Sequence, residues 1–174
     1  MTQEERDMLL YKPQNAHNAL SAAEEAEMNA YCEDYKRFLD ASKTERECVF
    51  SAIELAEKRG FVEYKRGMAL NPGDKVYYNN RGKAIMLAVI GSQSLAKGAN
   101  IGAAHTDAPR LDIKPRPLFQ ASHAEMAYLK THYYGGIRKY QWVATPLELH
   151  GKVMRRDGSE VYVKIGADLN DPQC

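Results

Sequence analysis

The sequence has little cysteine, little tryptophan, almost no net charge and no long apolar run. Its 174 residues hold 3 Cys and 1 Trp. Cys32, Cys48 and Cys174 form no Cys-x-x-Cys pair, which excludes a thioredoxin-type redox motif and a zinc site built from clustered cysteines. An odd, sparse count argues against a disulfide framework and for free thiols in a reducing compartment. Cys32 and Cys48 fall within helical patterns, where a thiol serves as a small core residue. A formal net charge of +1 gives no overall field for nucleic acid or a membrane surface, so neither is expected as a partner. The longest apolar run, residues 84–90, falls far short of the roughly 20 residues of a transmembrane helix. The opening MTQEERDMLL is charged where the apolar stretch of a secretory leader would begin, and the expected location is the cytoplasm. Gly135-Gly136 lacks a GxGxxG context, so no phosphate-cradling loop is expected.

What is present is globular. Apolar residues make up 44% and charged residues 27%, a composition that can bury a core. The length suits one domain, or one domain and part of a second. Residues 1–60 carry 8 Lys or Arg against 13 Asp or Glu, and residues 61–174 carry 16 against 10. That asymmetry reads as an acidic helical surface followed by a basic sheet surface.

Two helices are written in the first third. Ser21 and Glu24 form a capping box, in which each side chain bonds the other's backbone N–H. Residues 22–40 then run without Gly or Pro, and Ala26, Met28, Ala30, Tyr31, Tyr35, Phe38 and Leu39 can share one apolar stripe. Thr44 and Glu47 repeat the box. The next helix carries Cys48, Val49, Ile53, Leu55 and Ala56 and stops at Lys58-Arg59-Gly60, cations in the last turn and Gly beyond it.

After Gly60 the period changes to that of strands. Asn71-Pro72-Gly73-Asp74 marks a turn, 75–79 a short strand, and 83–90 an apolar run that suits a buried central strand. Residues 101–105 are small and apolar, like another interior strand. Leu111 to Lys114 alternates, and Pro115 and Pro117 break the pattern. A hairpin is expected over 153–165, with Asp157-Gly158 as its turn. The segment Asp168 to Cys174 reads as loop. The best boundary between structural units lies near 115–122.

Chemistry concentrates in Ile101-Gly102-Ala103-Ala104-His105-Thr106-Asp107-Ala108-Pro109. A histidine leaving the end of a buried small-residue strand points at the strand-end crevice where α/β sheets bind ligands. A carboxylate two residues on can turn back, fix the tautomer of a metal-bound imidazole and raise its basicity. Taken alone, His-x-Asp is equally the spacing of a structural hydrogen-bonded pair. The other histidines, His17, His123, His132 and His150, read as surface or packed residues.

The segment AAHTDAPRLDIKP resembles the His-Thr-Asp-Ser/Ala-Pro-x-Leu stretch of aspartyl aminopeptidases and their bacterial relatives, metallopeptidase family eighteen. In the same order, Tyr133-Tyr134-Gly135-Gly136-Ile137 with Trp142 resembles the family's Tyr-Gly-Gly-Gly-x-Trp region. Leu147-Glu148-Leu149-His150-Gly151-Lys152-Val153 resembles its Leu-x-Leu-x-Gly-x-Val strand. Lys164-Ile165-Gly166 and Asn170-Asp171-Pro172 are similar to the bacterial branch. Where better-studied members carry Trp-Phe-Asp-Arg-Asp-Leu, this chain reads Gln141-Trp142-Val143-Ala144-Thr145-Pro146-Leu147, which weakens any expected preference for acidic N-terminal residues.

The resemblance implies an α/β fold. It would be part of the mixed-sheet, di-metal aminopeptidase catalytic domain with its helices, over residues 1–114. The start of a β-rich dimerisation insert would follow, over residues 115–174. It implies removal of N-terminal residues from peptide substrates, two divalent metals, usually zinc with cobalt or manganese also able to serve, and a homo-oligomer formed through the β-rich region. The candidate site residues are then His105 as metal ligand and Asp107 as the catalytic-site carboxylate that orients it, with Tyr134, Gly135 and Gly136 as structural parts of the insert.

The same resemblance places the bridging Asp, a Glu-Glu pair, a further acidic ligand and a last His downstream of this sequence. Coordination chemistry agrees, because a catalytic zinc takes about three protein ligands. The acids after Asp107, which are Asp112, Glu125, Glu148, Asp157, Glu160, Asp168 and Asp171, have no evident route to His105. The chain alone is therefore expected to be inactive. Two alternatives stay open: a non-catalytic module that oligomerises through its hairpins or a sheet edge, and a subunit completed by a second chain.

Overall fold

The structure is a computed structural model that describes residues 2–11, 13–123, 125–168 and 170–171. The expectations for Leu169, Pro172 and Cys174 lie outside these residues. The chain divides into two compact units, residues 1–40 and 41–174.

The first unit is helical. Helix α1 (Gln3–Leu9) opens on a Thr2–Glu5 capping box, a local signal absent from the expectations above. Helix α2 (Ala22–Ala41) starts at the expected box: Ser21 N–H and Oγ donate to Glu24 at 2.8 and 2.7 Å, and Glu24 N–H donates back at 3.3 Å. Tyr35 and Phe38 of its expected apolar stripe stack on each other, but none of the helix's residues is buried.

The second unit holds the core. Helix α3 (Glu45–Glu57) is capped by the reciprocal Thr44–Glu47 box and ends where Gly60 takes φ +82°. Val49 and Ala56, two turns apart, fall on one face and are buried at 0% and 4% exposure, together with Val76 and Tyr77. Val76 and Tyr77 belong to β2 (Lys75–Asn80). This strand pairs parallel with β1 (Val62–Glu63) and antiparallel with β3 (Ala84–Val89), giving a three-stranded mixed sheet of order β1-β2-β3. Polar links tie helix to sheet: the Tyr77 phenol donates to Glu57 at 2.7 Å, Lys75 Nζ donates to the Arg59 carbonyl, and Arg46 donates to the Arg81 carbonyl.

Three strand expectations are corrected. The run 83–90 was expected to be buried and central; instead β3 ends the sheet, and Met86, Leu87 and Val89 are 66%, 47% and 62% exposed. An all-apolar strand is buried only when something covers both faces; helix α3 packs against β3 and leaves Met86, Leu87 and Val89 open to water. Residues 101–105 form no strand, and Ile101 is 86% exposed. Strand β4 (Arg110–Gln120) continues through Pro115 and Pro117. It pairs with β5 (Ala127–Tyr134), and the register slips between Ile113 and Leu118, a stretch that contains both prolines. An irregularity on a strand with one neighbour is where prolines are tolerated, because the missing N–H breaks no regular ladder. This strand also runs unbroken across residues 114 and 115.

The last hairpin is as expected. Strands β6 (Leu149–Met154) and β7 (Glu160–Ile165) pair antiparallel. Gly158 lies in the turn at φ +84°, and Arg155 N–H bonds the Ser159 carbonyl. Along β7 the exposed and half-buried residues alternate. Among the described residues no helix is long and apolar enough to cross a membrane.

Candidate metal centre

The β4–β5 hairpin assembles the site. Arg110, first residue of β4, sits opposite Tyr134, last residue of β5. That register brings the segment just before β4 against the end of β5, so Asp107 meets Tyr134 although they lie 27 positions apart. The Tyr134 phenol donates to Asp107 Oδ2 at 2.6 Å. Asp107 faces His105 with its other carboxylate oxygen: Oδ1 lies 3.2 Å from His105 Nδ1, and the Asp107 carbonyl lies 2.8 Å from the same nitrogen. The Asp107 carboxyl is held below its usual range, by the Tyr134 hydroxyl first and by backbone N–H and His105 after it. The Tyr134 phenol is pushed up by the same contact.

Tyr134 is itself held in place. The Arg110 guanidinium lies 4.0 Å from the centre of its ring, and Arg110 Nε donates to Asp112 at 2.7 Å. A cation over an aromatic face is favoured by the ring quadrupole. Gly135 follows at φ +79°, and a Cβ there would lie 3.4 Å from Pro109 Cα. Tyr134 and Gly135 thus close the hairpin onto the His105 segment.

The two sequence-predicted residues, His105 and Asp107, are together. Of the other acids named above, Asp112 pairs with Arg110, Asp157 accepts from Ser159, and Glu160 pairs with Lys152. His132 packs against Tyr133, and His17 is exposed within a short 3-10 turn.

His150 was expected to be a packed or solvent-facing strand residue; it is packed, with partners that the sequence did not name. Its side chain is only 7% exposed, with Nδ1 2.7 Å from Glu47 and Nε2 2.7 Å from Glu148. The contact lowers the Glu148 carboxyl. With Lys43, Arg110, Asp112 and Trp142 it lines a cleft of about 430 Å³. Glu47 lies 103 positions away, and no local signal pairs them.

The sequence and its fold have been compared with known proteins. The family described as "Aminopeptidase I zinc metalloprotease (M18)" matches residues 38–174. A "Probable M18 family aminopeptidase 1" of Borrelia garinii subsp. bavariensis is 44% identical over 161 residues, which is 92% of this chain and 35% of that protein. The protein of the same name from Clostridium acetobutylicum is 44% identical over 94% of this chain and 36% of its own length. The crystal structure of aminopeptidase I from Borrelia burgdorferi B31 superposes with a TM-score of 0.84 at 41% identity, covering 92% of this chain and 39% of that one. The fold is of the mixed α/β kind seen in solved M18 aminopeptidase structures. The chain belongs to the M18 aminopeptidase family, and it spans about a third of the length of the curated relatives it matches.

The donor chemistry fits zinc at one position. With Nδ1 engaged by Asp107, His105 keeps Nε2 for a metal, and a carboxylate behind the opposite ring nitrogen is the usual support of a zinc-bound histidine. Among the described residues no group of three or more His, Cys, Asp or Glu could hold a metal. These residues therefore fit one ligand and its orienting partner, not a closed set.

Proposed function

We propose that this chain is the opening portion of a metal-dependent aminopeptidase, in which His105 is one metal ligand and Asp107 positions it. The observation that carries the reading is the Asp107 carboxylate set between the Tyr134 hydroxyl and His105 Nδ1. Residues 1–114 correspond to the first part of the catalytic domain, and residues 115–174 to the start of a β-rich insert through which copies of the protein associate. The complete site would hold two divalent metals, zinc in preference to cobalt or manganese, with His105 on one of them. The substrate is a peptide with a free N-terminus, and the protein works in the cytoplasm.

Bound metal supplies Lewis acidity and an activated water for attack on the scissile carbonyl. The part played by this chain is to present Nε2 of His105 in one tautomer and one orientation. Asp107 accepts at Nδ1, which keeps the proton on that nitrogen and the lone pair on the other. The remaining ligands and the general base come from outside the described residues, since no cluster among them can close the site.

The test is an assay of aminoacyl p-nitroanilide hydrolysis with zinc or cobalt added. The 174-residue chain alone is expected to show no turnover. The same chain in place of the matching third of the Clostridium acetobutylicum relative is expected to be active, with activity lost in His105→Ala. A folded but inactive chimera, or an active one indifferent to His105→Ala, contradicts the assignment.

A further inference from the structure

Asp107 is held by more than the histidine it serves. Its Oδ1 faces His105 Nδ1 at 3.2 Å, while Oδ2 accepts from the Tyr134 hydroxyl at 2.6 Å. A carboxylate on an exposed loop can rotate about its side-chain bonds, and a donor on the second oxygen fixes that rotation. Tyr134 brings its own restraint, because it closes β5 opposite Arg110, whose guanidinium covers its ring at 4.0 Å. His105 itself is 83% exposed in its side chain, so no packing around the imidazole sets its orientation. The order of its ring must come through Asp107.

We infer that Tyr134 is a positioning residue: its hydroxyl locks the Asp107 carboxylate against His105 Nδ1 and so fixes the tautomer in which His105 offers Nε2 to a metal. The inference deepens the aminopeptidase reading and rests on it for the identity of the ligand. It assigns to Tyr134 a task beyond the structural one that its place beside Gly135 implies. The competing arrangement is also defined. The Asp107 backbone carbonyl, 2.8 Å from Nδ1, could hold the tautomer without any help from Tyr134.

The test uses the 174-residue chain labelled with 15N-histidine, read by long-range 1H–15N correlation near pH 8, where a free imidazole is neutral. His105 is identified by comparison with His105→Gln. In the unaltered chain His105 is expected almost wholly as the Nδ1–H tautomer. In Tyr134→Phe, with backbone spectra otherwise matching, it is expected to move toward the mixture of a free imidazole. Zinc titration should then saturate the His105 signal at a concentration several-fold higher than in the unaltered chain; the loss of such supporting contacts costs roughly 10–100-fold in complete sites.

An unchanged tautomer in folded Tyr134→Phe overturns the inference and gives the task to the Asp107 carbonyl. Should Tyr134→Phe not fold, Asp107→Asn decides in a chain unaltered at Tyr134. A shift of the Tyr134 13Cζ resonance together with loss of the single His105 tautomer supports the lock, and no change in either overturns it. Failure of the aminopeptidase reading looks different: His105 in the unaltered chain would then respond to zinc no more readily than exposed His17, whatever the tautomer result.

Discussion

At the scale of single residues, the molecule depends on a few side chains whose partners are far away in sequence. His150 is the clearest case. It is nearly buried and bonded at both ring nitrogens to carboxylates from α3 and from the stretch just before β6. His150→Ala leaves Glu47 and Glu148 without that partner and should destabilise the chain by about 1–3 kcal/mol, the cost of unsatisfied polar groups, read as a lower urea midpoint with an unchanged slope. Gly135 is the second case. Its φ of +79° strains any residue with a Cβ, which would also come into contact with Pro109 at 3.4 Å. Gly135→Ala should cost about 1–3 kcal/mol and disturb the amide signals of Asp107 and Tyr134 before those of α3. An unaltered spectrum around Asp107 would show that the hairpin end and the His105 segment are not coupled. His105 and Asp107 were legible in the sequence because only Thr106 separates them and the motif is local. Tyr134 was visible only as part of a Tyr-Gly-Gly signature, since its hydrogen bond depends on the β4–β5 register. The tie between His150 and Glu47 was not legible at all.

At the scale of elements, the outcome divides between local and non-local causes. The starts of α2 and α3 were readable because a capping box is complete within four residues. Thr44→Ala removes one half of the α3 box and should lower stability by about 0.5–2 kcal/mol, measurable by thermal unfolding. The strands were harder. Composition marked β3 as an interior strand, yet interior position depends on what lies beside it, and here β3 ends the sheet. Two prolines marked an end to β4, but a slip in register lets the strand continue. The contact between α3 and β2 has its own signature. Hydrogen bonding to Glu57, with burial adding to it, pushes the Tyr77 phenol up to about 12. Its folded value lies above the ordinary value of about 10, so its contribution to stability is complete below pH about 10 and is lost as the pH rises toward about 12. Absorbance titration should show one tyrosine of the 11 ionising near pH 12, returning to the ordinary range in Glu57→Gln. No late tyrosine in the unaltered chain would mean that the Tyr77–Glu57 bond does not form in solution.

At the scale of the whole molecule, few apolar residues are buried among those described and many are open to water. Val49, Ala56, Val76 and Tyr77 are the buried apolar residues described, while Met86, Leu87, Val89 and Ile101 stand open to water. The chain spans about a third of the length of its curated relatives. An apolar strand with a free edge invites pairing between copies. The chain should therefore self-associate as its concentration rises, and Val89→Lys should reduce that association in light scattering without loss of helical signal.

The most direct measurement is the zinc bound to the purified chain after dialysis, by elemental analysis. One ligand with its orienting carboxylate cannot retain an ion that ordinarily takes about three or four protein ligands. The predicted content is therefore below about 0.2 zinc per chain, set against that ligand requirement. A content near two per chain would contradict the assignment of a partial site. It would mean that carboxylates placed here in ion pairs and turns converge on His105, or that copies of the chain share their ligands.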